Sequence, residues 1–243
     1  MIITYAMRVN RGERQYSEDS VRAVRVGSEW LFVLADGLGG MGHGEIASET
    51  AVESAINRFQ WDPDRGQVLC NCINSAQEAV RFRQKDNTEL TGMATTFVGL
   101  RLLENQAEWV HIGDSRLYLF RNGVLSCRTL DHSVPQMLVN AGMISPDQIR
   151  HHPDRSRLMR IIGNEWEDED NYTFSQPIEI QEGDSFLLCS DGLWEWVDER
   201  VMEALLKESE SPLRWLSCLE KAAVENGKGK NLDNYSGICV YVR

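Results

Sequence analysis

No stretch of this chain is apolar for long enough to span a bilayer, and no surplus of basic residues marks it for nucleic acid. The formal charge is −12 and the pI about 4.9, so nucleic acid and anionic lipid are both repelled and neither is expected as a partner. The opening Met1-Ile2-Ile3-Thr4-Tyr5 lacks the charged-then-apolar pattern of a secretory leader, and a cytoplasmic location is expected. No CxxC occurs. Cys70 and Cys72, the one close pair, have the wrong spacing for a zinc knuckle, so the six cysteines are read as reduced, mostly buried thiols. There is no Pro/Gly/Ser linker, low-complexity tract or internal repeat, which favours one domain over residues 1–243. With 42% hydrophobic and 26% charged residues, the chain can bury a sizeable core.

What is present is more specific. Trp30-Leu31-Phe32-Val33-Leu34-Ala35 runs into Asp36-Gly37, and Phe186-Leu187-Leu188-Cys189 runs through Ser190 into Asp191-Gly192. Short continuous apolar runs read as buried strands, and an Asp at the exit of each holds a carboxylate at the rim of a rigid sheet. Oxygen-only ligands at a sheet end suit a hard divalent cation. Further strands are predicted at 2–9, 20–26, 94–103, 107–112, 115–120, 172–180 and 236–242, with a hairpin at Asn122-Gly123. Helices are predicted at 45–59, 67–85, 198–208 and 212–226, and 133–162 reads as helical and loop-rich, broken at Pro146 and Pro153. Consecutive strands with short turns, and helices in pairs, give an α+β class: two antiparallel sheets face to face with helices outside. Trp194 and Trp196 are expected in the core, and the acidic stretch 165–170 as a solvated loop.

Gly37-Leu38-Gly39-Gly40-Met41-Gly42 fits G-x-G-x-x-G between a strand and a helix, so a dinucleotide-binding oxidoreductase is one alternative. Asp36 would set a carboxylate beside the pyrophosphate. The helix ending near Phe59 leads through Trp61-Asp62-Pro63-Asp64 into another helix, leaving no second parallel strand for the ribose-binding acid.

Other acids sit at strand ends: Glu18-Asp19 before 20–26, Asp114 after Trp109-Val110-His111-Ile112-Gly113, and Asp233 before the last strand. Singly, each reads as a turn residue or cap. If they converge they repel: two charges about 4 Å apart cost about 1 kcal/mol even in water. Such a cluster is tolerated mainly when cations neutralise it.

Seven stretches in order then resemble the metal-dependent protein serine/threonine phosphatases of the PP2C type, in their short bacterial form. They are Arg14-Gln15-Tyr16-Ser17-Glu18-Asp19, Ala35-Asp36-Gly37-Leu38-Gly39-Gly40, Thr91-Gly92-Met93-Ala94-Thr95-Thr96, Gly113-Asp114-Ser115-Arg116, Asp131-His132-Ser133, Ser190-Asp191-Gly192-Leu193 and Asp233-Asn234. The resemblance implies a β-sandwich with two Mn²⁺ or Mg²⁺ ions at one end and hydrolysis of phosphoserine and phosphothreonine on proteins by a metal-activated water. By that likeness Asp36 would bridge the ions and the Gly37 carbonyl would bind one. Asp191 and Asp233 would hold the first ion and Glu18 the second, with Asp19 behind them. Asp114 with Asp191 would form a weaker third site, and Arg14 would bind the substrate phosphate. No cysteine has an Arg six positions later, so the equipment for a cysteinyl phosphoenzyme is missing.

The family usually has Asn where Ser17 stands, and eukaryotic members have a proton-donating His where Leu38 stands. That leaves the general acid unassigned: His43 could serve or could simply sit in the turn before the next helix. His132 is expected to organise its turn, and His151-His152 to lie in a solvated loop. Residues 139–160 resemble the family's flap, with Arg150, Arg155, Arg157 and Arg160 either meeting an anionic phosphopeptide or forming ordinary surface charge. Implied partners are phosphorylated proteins, a cognate Ser/Thr kinase and a forkhead-associated-domain protein, with type VI secretion as one setting. A second alternative is a metal-dead scaffold of this fold, which the complete set of acids opposes.

Overall fold

The computed structural model describes residues 1–166 and 171–243. The chain runs β1 (Ile3–Asn10), β2 (Asp19–Val26), β3 (Glu29–Asp36), α1 (Gly44–Trp61), α2 (Val68–Asp86), β4 (Phe97–Leu103), β5 (Gln106–Ile112), β6 (Arg116–Arg121) and β7 (Val124–Arg128). It continues α3 (Val134–Asn140), β8 (Thr173–Phe174), β9 (Ile178–Glu179), β10 (Ser185–Cys189), the single turn α4 (Asp191–Trp194), α5 (Glu199–Lys207), α6 (Pro212–Gly227) and β11 (Tyr235–Val242).

Two antiparallel sheets result. One has the order β1-β11-β10-β6-β7. The other has β2-β3-β4-β5-β8, with β9 also on β5. The apolar runs are continuous because both faces of each central strand are covered. Along β3, Phe32 and Leu34 face the opposing sheet, where they meet Leu117, Leu188, Ile238 and Val240. Leu31, Val33 and Ala35 face outward, under Ala47, Ala51 and Ala55 of α1 and Ile73, Ala76 and Val80 of α2. On the far side, Leu187, Cys189 and Cys239 pack beneath Trp194, Trp215 and Leu219. The α+β class and the helix–sheet–sheet–helix layering are as the sequence implied.

Helix starts follow the expected chemistry. Ser133, Asp198 and Ser211 each accept a backbone N–H from the first turn of α3, α5 and α6. The strand predicted over 172–180 is instead two two-residue pieces, both paired to β5. Pro177 has no N–H for the ladder, and Ser175 inserts its hydroxyl on the Trp109 N–H at 2.8 Å. Trp194 is buried as predicted, whereas Trp196 is half-buried beneath the Lys230 ammonium, 4.8 Å from the ring centre. The acidic stretch 165–170 lies largely outside the described residues, at 167–170.

Candidate active site

Antiparallel register delivers the acids to one end of the sandwich. Asp19 opens β2 directly opposite Asp36, which closes β3. Cys189 at the end of β10 pairs with Arg116 at the start of β6 and Gly237 near the start of β11. Asp191, Asp114 and Asp233 therefore leave their strands on the same side. Glu18, Asp36, Gly37, Asp114, Asp191, Asp233 and Arg14 all line one cleft of about 780 Å³. Asp19 lies behind that lining, buried.

The scaffold around each acid is fixed by hydrogen bonds. The Asp36 N–H donates to Thr96 Oγ1 (3.0 Å), and its carbonyl accepts from Thr96 N–H (2.9 Å) and Thr95 Oγ1 (2.8 Å). Ser190 Oγ donates to Asp19 Oδ2 at 2.8 Å and accepts from Ser236 N–H at 2.9 Å. Asn234 clamps the loop before β2: its Oδ1 accepts from Glu18 N–H (2.7 Å) and its Nδ2 donates to the carbonyls of Arg11 and Tyr16. Trp194 Nε1 donates to the Asp114 carbonyl at 2.9 Å. Ser17 Oγ accepts from Asp19 N–H at 3.3 Å, the turn bond expected of a serine there.

The glycine run has a packing role. A methyl group at Gly37 would collide with the Gly44 carbonyl, and one at Gly39 with the Glu18 carboxylate. The run thus wraps a carboxylate. Together with antiparallel β3 and β4, this removes the parallel unit that a dinucleotide site requires.

The electrostatics are those of crowded like charge. Burial pushes the Asp36 carboxyl well above the usual range, and the charges of Asp19, Asp191, Asp114 and Asp233 push it the same way. Burial and then Asp233, Glu195 and Asp19 raise Asp191 to about 7. Burial raises Asp19 to about 6, against the hydrogen bond from Ser190. Asp114 is held high by burial, Asp191 and Asp131, and Glu18 by burial, Glu45 and Asp233. Among the described residues Arg14 is the one cation bonded into the group, its Nε and Nη2 donating to the two oxygens of Asp233 at 2.9 and 2.7 Å.

Among the described residues, no three His, Cys, Asp or Glu side chains are posed as a ready-made metal cage. The donor set nevertheless suits a hard cation: oxygens only, mutually repelling, with buried Asp19 Oδ1 lacking any hydrogen-bond partner. Asp36, Asp191, Asp233, Glu18 and the Gly37 carbonyl are the groups that could hold such ions, with Asp114 on the same wall.

The histidines stand apart from the cleft, whose lining includes none. His43 precedes α1 with a left-handed backbone (φ 61°) and no side-chain cap, its Nδ1 3.9 Å from Glu45. His132 does organise its turn: Nδ1 accepts from Gly113 N–H (3.2 Å), Nε2 meets Thr173 Oγ1 (3.0 Å), and the ring stacks on His111. His151 is exposed as expected, while His152 Nδ1 accepts from Asp154 N–H. Two of the four flap arginines are not free charge. Arg150 lies 2.7 Å from Glu199 and Arg155 2.8 Å from Glu195. Sequence reasoning also missed Ser190, Asn234, Thr96 and Trp194 as supports. Ser190, Asn234 and Thr96 stood in the sequence only as members of the family-like stretches.

Residues 8–224 match the protein phosphatase 2C family. The serine/threonine protein phosphatase PstP of Mycobacterium tuberculosis is 38% identical over 210 residues, which are 84% of this chain and 39% of PstP. The chain thus spans about two fifths of that relative. A solved structure of the PstP catalytic domain in complex with two manganese ions superposes with a TM-score of 0.79 at 31% identity, covering 98% of this chain and 97% of that one. The serine/threonine phosphatase stp of Listeria monocytogenes is 33% identical, over 82% of this chain and 81% of its own length. PppA, described as a key regulatory component of the type VI secretion system in Pseudomonas aeruginosa, superposes with a TM-score of 0.80 at 26% identity, over 99% and 98% of the two chains.

Proposed function

The chain belongs to the protein phosphatase 2C family, and from that premise we propose that it hydrolyses phosphoserine and phosphothreonine on other proteins with divalent metal ions. The observation that carries this is the meeting of acids from distant segments around one cleft that also holds Arg14. We assign Asp36 to both ions, Asp191 and Asp233 to the first, Glu18 to the second, the Gly37 carbonyl to one of the two, and Asp19 to orienting the ligands from behind. Asp114 with Asp191 is assigned to a weaker third. When bound, such ions supply Lewis acidity that makes water nucleophilic at neutral pH and offsets charge on phosphoryl oxygens.

The protein's own groups do the rest. Arg14 presents a planar fork, now seated on the two Asp233 oxygens, that matches two oxygens of a phosphate monoester equally well. Ser190 holds Asp19 by one oxygen and leaves the other free to orient what lies in front of it. Tyr16, Leu38, Leu158 and Ile161 give the cleft an apolar wall for the substrate backbone. With Leu38 where a histidine stands in eukaryotic members, the proton for the leaving oxygen is left to water in the open cleft.

The proposal takes residues 1–243 as one phosphatase domain with 139–160 as its flap, supported by Ser156, Arg157 and Leu158, near the end of that segment, on the cleft wall. It includes Mn²⁺ or Mg²⁺ as the ions and a cytoplasmic setting opposite a Ser/Thr kinase. A forkhead-associated-domain partner, as in control of type VI secretion, completes it. Among the described residues no helix is long and apolar enough to cross a membrane. The test is phosphate release from an aryl phosphate with Mn²⁺. Turnover should vanish with EDTA and in Asp191→Ala. No turnover at any metal concentration would favour the scaffold reading.

A further inference from the structure

The flap carries four arginines, and the structure separates them. Arg150 is paired to Glu199 and lies 5.7 Å from the centre of the Trp194 ring, and Arg155 is paired to Glu195. Arg160 lines a different cavity, beside His132 and Met159. Arg157 alone lines the same cleft as Asp36 and Arg14. Its backbone is pinned, with its N–H on the Asp154 carbonyl (2.9 Å), its carbonyl accepting from Val134 N–H (3.0 Å), and Leu158 bridged to Ser133. Its side chain is exposed and has no ion-pair partner among the described residues.

Arg14 and Arg157 therefore differ in kind. Arg14 is already neutralised by Asp233, beside the acids. Arg157 is a flap guanidinium with no ion pair among the described residues, in a lining that also includes Leu38, Leu158 and Ile161. A cation held on a fixed backbone at the rim loses only side-chain freedom when it meets an anion. A phosphate seated at the acids leaves Arg157 to the residues flanking it.

We propose that Arg157 is a specificity-determining residue that selects phosphopeptides carrying an acidic side chain next to the phosphorylated residue. The inference rests on the phosphatase reading above. An exposed guanidinium–carboxylate contact corresponds to a preference of about two- to fivefold in kcat/KM.

The experiment uses the full chain with Mn²⁺ and two sets of phosphothreonine peptides, identical except for Glu or Gln at each of the two positions on either side of the phosphothreonine. The Glu/Gln ratio of kcat/KM does not depend on how much enzyme is folded, so poor folding of a variant does not obscure it. The wild type should show a ratio of about two to five at one or more positions. Arg157→Ala should bring it to about one and Arg157→Glu below one, while Arg160→Ala should keep the wild-type ratio. A wild-type ratio of one at every position overturns the inference, as does a preference that survives Arg157→Ala or is lost equally in Arg160→Ala. An aryl phosphate serves as the control. If it is not hydrolysed, the parent reading fails. If it and the peptides are hydrolysed but without a Glu preference, this inference fails alone; if it is hydrolysed and no peptide is, both readings fail.

Discussion

Two groups of buried charge lie on either side of Asp114 and are built in opposite ways. On one side, Arg116 is fully enclosed and satisfied. Its Nε and Nη2 donate to Asp131 at 2.8 and 2.7 Å, its Nη1 donates to the Tyr118 hydroxyl, and its guanidinium lies 3.5 Å from the centre of the Trp194 ring. On the other side, Asp36 meets the charges of Asp19, Asp191 and Asp233, and among the described residues the one cation bonded there, Arg14, is on Asp233. The first arrangement fixes the loop behind the cleft and asks nothing of solvent. The second is left incomplete, so that its remaining partner must come from outside. Trp194 joins the two, stacking on Arg116 and holding the Asp114 carbonyl.

The contrast breaks if removing a partner has the same consequence on both sides. Asp131→Ala strips buried Arg116 of its bidentate partner, leaving the 3.8 Å contact to Glu199 as its ion pair, and should cost about 3–5 kcal/mol of stability by urea unfolding. A loss under about 1 kcal/mol would mean that the pair is solvated after all.

Acid sharpens the same contrast, because the two sides respond with opposite signs. His132, held near pKa 3 by burial and by His111 and Arg160, binds fewer protons folded than unfolded, where its value is about 6.5. Its contribution is present above pH 6.5 and is lost as pH falls toward 3. Asp191, raised to about 7, binds more protons folded than unfolded, so falling pH relieves the metal-free cleft. Between pH 7 and 5 in EDTA, His132→Asn should lose about 2 kcal/mol less than the wild type. Equal losses would place the His132 ring in water.

The smallest effect concerns the repulsion itself. Asp36→Asn should abolish turnover yet raise the melting temperature of the EDTA-treated protein by about 2–4 °C, corresponding to about 1 kcal/mol. A lowered melting temperature would show that Asp36 is compensated within the protein.

Most of the fold could be read from the sequence, since strands covered on both faces leave continuous apolar runs such as 30–35 and 186–189. The single strand predicted over 172–180 fails at Pro177, which has no N–H for the ladder. At the candidate site, the acids stood out by lying at strand ends. Their supports did not: Ser190, Asn234 and Thr96 are ordinary turn and strand residues until the two sheets close. The pairing of Arg150 and Arg155 was hidden for the same reason, because Glu199 and Glu195 are some forty or more positions away along the chain. Nothing local to the flap distinguishes those arginines from Arg157.

The facing of Asp19 and Asp36 across β2 and β3 has a consequence for how the protein matures. Slippage of one strand by a single residue would turn alternate side chains to the wrong face and pull the two carboxylates apart. Misaligned chains would then lack the cation pocket. Any ion that binds the aligned form would draw the population toward it by mass action, so a divalent cation would also proofread strand alignment.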